Sequence, residues 1–373
     1  MKKKILFGIT SLTLGGAERV LVDLCNKLAC DYMITILTIY GGGELEKQLD
    51  RRVRVISLYD KPYNQYSKLQ HLKISLTLLL KTKIPDEYET RVAFLEGPIT
   101  RLFSKKCKAK KIAWIHNDVS KVFGTGIKAK MKKIFDKHIY SKYDELVFVS
   151  KENKQDFDTL YGKMENERII RNYINYNQVI EKSREEIDLP YNHKDINLVS
   201  VCRLVDQKAI DRFINVHAKL EKHGIHSKVY MILKDRGLKF TWYVIGQGDL
   251  KDSLTEQIKM CSVEDCFVLL GVRENPYPYI KGADYFCLLS YFEGYGMVLE
   301  EAKILDKNIV ITDTAARECI KGYQKAIILK NTEKEIYEGL KKLLSSDNIK
   351  GASAETINTE EYNKIIDDVK GIL

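Results

Sequence analysis

The chain of 373 residues is short of prolines and of long apolar runs, and its cysteines follow no recognisable pattern. Six prolines are too few for a proline-rich stalk or a long rigid linker. The most apolar stretches, such as Ile74–Leu80, are much shorter than the roughly 20 residues of a membrane-spanning helix. Apolar residues make up 45% and charged residues 30%, which is typical of a folded globular protein. The length suits two domains of ordinary size.

The eight cysteines have neither the spacing of a metal site nor that of a disulfide framework. Several of them, such as Cys287, lie inside apolar runs. We therefore interpret them as free, mostly buried thiols in a reducing compartment. His223 and His226 are close in sequence, but no third ligand stands near them, which makes a metal site there improbable.

The first four residues, Met1 to Lys4, resemble the basic start of a signal peptide. The apolar stretch that follows soon reaches Gly15 and Arg19, and no cleavage-like site appears. A buried first strand explains this stretch better. We expect the chain to stay in the cytoplasm.

Short apolar runs alternate with helical patterns along most of the chain. The predicted strands of the first half are Lys4–Ile9, Met33–Tyr40, Val53–Leu58, Val92–Leu95, Ile112–Ile115 and Glu145–Val149. Those of the second half are Leu198–Cys202, Trp242–Gly246, Cys266–Leu270, Tyr285–Leu289 and Ile309–Thr312. Such alternation indicates parallel sheets with helices on both faces. We predict an α/β chain of two Rossmann-like, doubly wound domains that face each other across a cleft.

The domain boundary is expected at residues 176–196, which are polar and charged and are interpreted as a connection. We place the first domain at residues 1–175 and the second at residues 176–356. A final helical pattern at residues 357–373 could fold back onto the first domain, although periodicity does not show where it packs.

Basic residues are concentrated in one segment. Between Glu96 and Lys137 there are twelve Lys or Arg and three Asp or Glu, which is +9 of the chain's net +10. Such a segment suits nucleic acid, anionic lipid headgroups or a charged substrate, and a solvated basic helix without a partner is the alternative. Charge alone does not choose among them.

The most informative stretch runs from Ser290 to Ala302. It follows a predicted strand, turns at two glycines and enters a helix. Glycines let a backbone approach a ligand closely, and the N–H groups at a helix start attract phosphate oxygens. Glu293 would lie in the loop, and Glu301 about one turn into the helix, where its carboxylate can accept hydrogen bonds from ribose hydroxyls.

A second pair of charged residues has a similar setting. Arg203 and Lys208 flank a predicted strand-to-helix turn, so both cations can reach a diphosphate group and stabilise its charge. His116 follows an apolar strand, a position that suits either a core histidine or a site residue. Ser150, after another strand, could contact a ligand or cap the next helix.

These segments together resemble a family 4 retaining glycosyltransferase. That family carries the pattern E-G-x-G-x-x-x-x-E-A, matched here by Glu293, Gly294, Gly296, Glu301 and Ala302. Further matches follow in order along almost the whole chain: the glycine loop Gly15–Arg19, the active-site histidine His116, the diphosphate clamp Arg203–Lys208, and the pocket glycines Gly246, Gly248 and Gly271. The resemblance implies the GT-B fold.

The chain departs from the family pattern at two positions that are usually glycine, Cys202 and Ala209. A Cβ at either position narrows the approach of a phosphate slightly, but neither change removes a charged group. The chain also has extra length at His226–Lys239. These departures bear on the identity of the donor more than on the transfer reaction.

The resemblance implies retaining transfer from a nucleotide diphosphate sugar, a UDP-sugar by family habit, in cell-surface polysaccharide biosynthesis. The acceptor would be a saccharide or a lipid-linked saccharide. Arg203 and Lys208 would stabilise the departing diphosphate, Glu293 and His116 would hold sugar hydroxyls, and Glu301 would hold the ribose. The other implied donor-binding residues are Gly16, Gly246, Gly271, Gly294, Tyr295, Gly296, Met297 and Val298. No tightly bound cofactor is implied, and Mg²⁺ is possible but not required.

The family resemblance also gives the basic segment a role, because the first domain of such enzymes takes the acceptor and often touches a membrane. In the Lys105–Lys137 region, lysines interleave with Phe103, Phe123, Ile127, Met131, Ile134 and Phe135. This pattern suits peripheral contact with an anionic membrane on its inner face, or alternatively core packing. No nucleic-acid partner is expected, since no RNA- or DNA-binding motif is recognisable.

Two other functions remain open from the sequence. A sugar-nucleotide epimerase could share the two-domain cleft and the nucleotide contacts. A non-enzymatic protein that binds membrane or nucleic acid could use the basic segment, although the paired glutamates would then have no task.

Overall fold

The computed structural model describes residues 2–80, 82–116, 126–189, 191, 195–222, 240–344 and 360–373. The chain divides into two compact units, one of Met1–Ile174 with Glu360–Leu373 and the other of Asn175–Thr359. Among the described helices, none combines the length and the apolar character needed to cross a bilayer.

The first unit is built on a parallel sheet. Its strands are β1 (Lys4–Ile9), β2 (Met33–Tyr40), β3 (Arg54–Tyr59), β4 (Thr90–Ala93), β5 (Lys110–Ile115), β6 (Glu145–Phe148) and β7 (Glu167–Ile169). They are ordered β3-β2-β1-β4-β5-β6-β7. Since β1 is central and the later strands extend to both sides, the order reverses between β1 and β4. In such sheets, ligands bind at the carboxyl ends of the strands at this reversal.

Helices cover both faces of this sheet. They are α1 (Gly16–Leu28), α2 (Lys68–Leu80), α3 (Pro98–Phe103), α4 (Ile127–Tyr140), α5 (Lys151–Tyr161) and, from the end of the chain, α12 (Glu360–Lys370). One apolar cluster contains Ile74 of α2, Ile99 of α3, Ile139 of α4 and Phe157 of α5, so these four helices share one face. Ser150 caps α5, because its Oγ accepts the Asn153 N–H at 3.0 Å.

The end of the chain is fastened to the first unit by polar contacts. Lys370 forms an ion pair with Asp31 at 2.6 Å. The Thr90 hydroxyl donates to the Leu373 carbonyl at 2.9 Å, and Lys110 Nζ donates to the Ile372 carbonyl at 2.8 Å. The first unit is therefore made of two separate stretches of sequence.

The second unit repeats the plan. Its strands are β8 (Ile196–Val201), β9 (Phe240–Ile245), β10 (Phe267–Gly271), β11 (Tyr285–Leu288), β12 (Asn308–Thr312) and β13 (Ala326–Leu329). They are all parallel, in the order β10-β9-β8-β11-β12-β13, which reverses between β8 and β11. The described helices are α6 (Tyr176–Lys182), α7 (Ile210–Lys222), α8 (Lys251–Cys261), α9 (Tyr277–Gly282), α10 (Met297–Ile304) and α11 (Glu333–Leu344).

The prediction of an α/β chain with two doubly wound parallel sheets is confirmed. Two details differ. The stretch at 176–182 is a helix of the second unit rather than a connection, and Asn275 donates to the carbonyl of its last residue, Lys182, at 2.8 Å. The strand Ala326–Leu329 was not predicted; it is four residues long, lies at a sheet edge and is only half-buried, so its apolar pattern is brief.

Candidate functional site

The loops after β8 and β11 meet where the strand order of the second sheet reverses. Here Lys208 Nζ forms an ion pair with a carboxylate oxygen of Glu293, and the Ser290 hydroxyl donates to the same oxygen at 3.2 Å. Both charged side chains are only 12% exposed. Two residues predicted from separate motifs are thus in direct contact, at the position where this topology places ligands.

Further contacts hold the two loops together. The Tyr291 N–H donates to the Gln207 carbonyl at 3.0 Å, and the Gln207 side chain donates to the Phe292 carbonyl at 3.0 Å. Arg212 donates to the Leu289 carbonyl, and its guanidinium carbon lies 4.4 Å from the centre of the Tyr291 ring. These supporting residues were not predicted, since they carry no motif and act across about 80 residues of sequence.

The other member of the cation pair, Arg203, is exposed. Among the described residues, its guanidinium has no hydrogen-bond partner. At the end of the same loop, Ala209 has left-handed backbone angles, with φ of 53°. This conformation favours glycine, the residue usual at this position in the resembled family, so an alanine here carries backbone strain of about 1–2 kcal/mol.

Two glycines after β9 are required by close backbone contacts. A Cβ on Gly246 would lie 1.9 Å from the Cys202 carbonyl oxygen, and one on Gly248 would lie 2.2 Å from the Leu204 carbonyl oxygen. The Gly246 N–H donates to the carbonyl of Gly271, whose own φ is 71°. The glycines predicted to line a nucleotide pocket therefore also have a structural role. Without a Cβ, they let the loop after β9 pack against the backbone of the Arg203–Lys208 loop.

Helix α10 begins directly after the glycine turn, with Gly294 and Tyr295 in the turn and Gly296 at the N-cap. Its first residues, Met297 and Val298, are half-buried. The first turn of α10 therefore follows directly on the loop that carries Glu293. That its N–H groups bind phosphate stays a prediction.

Two neighbouring glutamates of α10 have different partners. Glu301 is 6% exposed, and Tyr277 donates to its carboxylate at 3.3 Å. Glu300 accepts from the Tyr295 hydroxyl at 2.7 Å and pairs with Lys303 at 2.9 Å. Only the first was predicted as a ligand-binding residue, and its tyrosine partner was not predicted.

In the first unit, Gly16 is the exposed first residue of α1, in the loop region after β1. His116 follows β5, and its backbone N–H donates to Glu96 at 2.5 Å. Its ring centre lies 4.6 Å from that of Phe94 and 6.3 Å from that of Trp114. The residue is partly exposed, but its Nε2 is buried and has no hydrogen-bond partner within the described part of the chain. Burial lowers the pKa of His116 to about 3, so the ring is neutral at physiological pH.

The basic region Lys105–Lys137 is described except for residues 117–125, which include Phe123. The apolar residues in it divide into two groups. Phe103 is a core residue with no exposed surface, which contradicts its interpretation as part of an interfacial surface. Met131, Ile134 and Phe135 of α4 are exposed. Four features of the sequence lie outside the described residues: the side chain of Ile127, the histidines His223 and His226, and the extra segment His226–Lys239.

No group of three or more His, Cys, Asp or Glu side chains close enough to hold a metal ion occurs in the described residues. All eight cysteines are free, with Cys25, Cys287 and Cys319 buried and Cys30 exposed. The four others are half-buried. Burial raises the pKa of Cys202, next to the clamp, to about 12.

The chain is similar to several known proteins. The family model described as "Glycosyl transferases group 1" matches residues 181–362, which is nearly all of the second unit. A protein of Campylobacter jejuni named N-acetylgalactosamine-N,N'-diacetylbacillosaminyl-diphospho-undecaprenol 4-alpha-N-acetylgalactosaminyltransferase is 25% identical over 99% of this chain and 97% of its own length. A second Campylobacter jejuni protein, named an alpha-1,4-N-acetyl-D-galactosaminyltransferase, is 24% identical over 80% of this chain and 76% of its own length.

Among solved structures, Anabaena HepE in complex with UDP and glucose is similar over 99% of this chain and 94% of its own, with a TM-score of 0.70 and 16% identity. This similarity shows the fold, which is that of the GT-B glycosyltransferases. Residues 181–362 thus match the group 1 glycosyl transferases, and the chain is a glycosyltransferase.

Proposed function

We propose that this glycosyltransferase moves a sugar from a UDP-sugar to a saccharide carried on a lipid diphosphate, with retention of configuration at the transferred carbon. The names of both Campylobacter relatives support an α-linked N-acetylhexosamine product, and that of the first includes a diphospho-undecaprenol acceptor. The solved structure of HepE with UDP-glucose supports a uridine nucleotide.

The observation that carries this proposal is the contact between Lys208 and Glu293 at the strand reversal of the second sheet. A donor diphosphate placed there would compete with Glu293 for the lysine ammonium. Lys208 and Arg203 then stabilise the charge that develops on the diphosphate as its bond to the sugar breaks. Glu293, released from the ion pair, accepts hydrogen bonds from hydroxyls of the transferred sugar.

The nucleotide part of the donor binds at α10. Backbone N–H groups in the first turn, at Met297 and Val298, contribute positive electrostatic potential toward the diphosphate. Glu301 accepts hydrogen bonds from the ribose hydroxyls, and the Tyr277 hydroxyl keeps its carboxylate oriented. Gly246, Gly271 and Gly294 keep the backbone close enough to the ligand for these contacts.

Retention needs no general base from the protein in this scheme. The acceptor hydroxyl attacks on the face that the diphosphate leaves, and its proton passes to a diphosphate oxygen. His116 holds a sugar hydroxyl through a neutral imidazole, because its lowered pKa prevents it from acting as a proton donor near neutral pH. The first unit thereby serves as the acceptor side.

Contact of the first unit with an anionic membrane belongs to the same proposal. Met131, Ile134 and Phe135 of α4 stand exposed among lysines. Helix α2, which packs on the same face of the sheet, exposes a second apolar stripe: Leu69, Leu72, Leu76 and Leu80. Residues 61–83 around that stripe contain five lysines and no acidic residue. Exposed apolar side chains bordered by lysines are typical of helices that lie on anionic membranes.

The epimerase and the non-enzymatic binding protein are not favoured, since the relatives with assigned activities are named as transferases. Donor binding provides the decisive test. UDP-, GDP- and ADP-sugars are compared by thermal shift and by transfer to a polyprenyl diphosphate-linked N-acetylhexosamine saccharide. A selective shift by one UDP-N-acetylhexosamine, with α-linked product, is expected.

Glu301→Gln and Glu300→Gln form a matched pair, because the two residues are adjacent and equally buried. We expect the first to lose the nucleotide-induced shift and the second to keep it while melting at a lower temperature. If no nucleotide sugar shifts the melting temperature of the wild type at millimolar concentration, the proposed donor site is wrong.

A further inference from the structure

An aromatic cluster without an assigned role lies at the carboxyl ends of β2 and β3. Tyr40 ends β2 and Tyr59 ends β3, while Tyr63 and Tyr66 lie in the next turn and His71 lies in the first turn of α2. We propose that Tyr63 and His71 form a platform that binds a pyranose ring of the acceptor saccharide, away from the hydroxyl that reacts. This inference rests on the proposed function for the identity of the acceptor.

The two rings are stacked, and the outer one is open to solvent. The rings of Tyr63 and His71 stack with centres 4.0 Å apart and planes 24° apart. Behind them, the Tyr40 hydroxyl lies 2.8 Å from His71 Nδ1, and Tyr40 is only 5% exposed. Tyr63 itself is 55% exposed. An exposed ring held by a buried support loses little conformational freedom when a ligand stacks on it.

The imidazole also supplies a directed hydrogen-bond donor. When the Tyr40 hydroxyl donates to Nδ1, the proton of the neutral ring resides on Nε2, which can then donate to a ligand. Across the described ranges, Tyr40 is the only hydrogen-bond partner of the His71 side chain. A pyranose presents a face of C–H groups and a rim of hydroxyls, so it matches a ring face bordered by an N–H donor.

The platform is continuous with the loop after β1. A Cβ on Gly43 would lie 2.3 Å from the Leu12 carbonyl carbon, and the Leu45 N–H donates to the Leu12 carbonyl at 2.9 Å. The turn after β2 therefore packs directly against the loop that precedes Gly16. Neighbouring strands are about 4.8 Å apart, so β3 lies about 10 Å from β1, a span comparable to a disaccharide. With the reacting hydroxyl placed at the loop after β1, the platform contacts a sugar one or two units away from it.

The experiment uses the full chain and three variants. Tyr63→Leu removes the ring and keeps an apolar side chain, Tyr63→Phe keeps the ring, and His71→Phe keeps a stacking partner and removes the donor. Acceptor KM and kcat are measured with mono- and disaccharide N-acetylhexosamine acceptors linked to a short polyprenyl diphosphate. Donor-induced thermal shift and donor hydrolysis without acceptor are measured in parallel.

We expect Tyr63→Leu to raise KM for the disaccharide acceptor about tenfold, the size of one aromatic contact, with kcat unchanged. KM for the monosaccharide acceptor should rise less. Tyr63→Phe should behave as wild type, and His71→Phe should raise KM for the disaccharide by a smaller factor. Donor shift and hydrolysis should be unchanged in all three, because the donor residues lie in the second unit.

An unchanged disaccharide KM in Tyr63→Leu overturns the platform. So does an equal rise for both acceptors, or a fall in melting temperature together with loss of the donor shift, which would mark Tyr63 as a structural residue. If the wild type binds no nucleotide sugar, the proposed function fails instead. Binding of the free N-acetylhexosamine disaccharide to wild type and Tyr63→Leu, followed by NMR of the His71 ring, then decides the platform by itself.

Discussion

The two sheets share their strand order over six strands, yet the carboxyl edges of the two units carry different side chains. In the second unit, the edge holds the Lys208–Glu293 ion pair and an exposed arginine, Arg203. In the first unit, the edge holds His116, which is neutral, beside aromatic rings. The same topology thus places a ligand at the carboxyl ends of the strands in both units. Under the proposed function, the loop residues of the second unit suit a charged diphosphate and those of the first unit suit neutral hydroxyls.

The sharpest test of this difference is to remove the charge from the second unit. We expect Lys208→Met to lower kcat/KM for transfer by about 10²–10³, because a positioned cation on the leaving group is lost in the transition state. Transfer is assayed at saturating acceptor.

Lys303→Met is the matched control, since Lys303 also forms a half-buried ion pair with a glutamate of the same unit. We expect it to lower the melting temperature and leave transfer within about threefold of wild type. Equal losses of transfer in the two variants would mean that Lys208 acts through folding and not through the diphosphate.

The glycines of the second unit test whether its site depends on close backbone contact. In Gly246→Ala the new Cβ would overlap the Cys202 carbonyl, so we expect a loss of about 2–5 kcal/mol in folding free energy and loss of donor binding. Gly271 also has a positive φ, but a Cβ there meets no atom within 4 Å. We expect Gly271→Ala to cost only about 1–2 kcal/mol. Similar melting temperatures for the two variants would contradict this account.

The sequence predicts the architecture and the second unit's site better than it predicts which side chains of the first unit are exposed. Short apolar runs separated by helical patterns locate most strands, because buried parallel strands are apolar on both faces. Glu293 and Glu301 are recognisable because strand, glycine turn and helix follow each other within 13 residues, from Ser290 to Ala302. Local order of this kind can be seen without a structure.

The supporting residues could not be predicted in this way. Arg212 reaches the loop after β11 from a helix 77 positions earlier in the sequence. The lysines around Phe103 in sequence left both an interfacial surface and core packing open for it, and the fold buries it completely. Contacts between distant segments, and the choice of which helical face is buried, depend on tertiary packing that a single sequence does not reveal.

Each unit also contains a histidine whose pKa is lowered to about 3 by burial of ring atoms, His116 in the first and His217 in the second. For the fully buried His217, the unfolded chain binds a proton below about pH 6.5 and the folded chain does not. Stability should therefore fall as the pH is lowered from 7 to 5, by up to about 2 kcal/mol.

His217→Phe tests this effect, since the ring packs among Phe240, Trp242 and Phe267. We expect the variant to lose less stability than wild type between pH 7 and pH 5, as measured by chemical unfolding at each pH. An identical pH dependence in the two proteins would show that other groups cause it. Transfer by wild type should show no ionisation attributable to His116 between pH 5 and pH 8.

The smallest effect expected concerns the exposed leucines of the first unit. Leu72 is 59% exposed, so Leu72→Ser should leave the melting temperature nearly unchanged. If α2 lies on the membrane, the variant should bind phosphatidylglycerol vesicles about fivefold more weakly, since an apolar side chain no longer leaves water. Met260→Ser in the second unit, at an even more exposed position, should bind as wild type does. Equal vesicle binding by all three proteins would remove α2 from the membrane contact. A concentration-dependent change of molecular mass in Leu72→Ser would instead assign the stripe to contact between two copies of the chain.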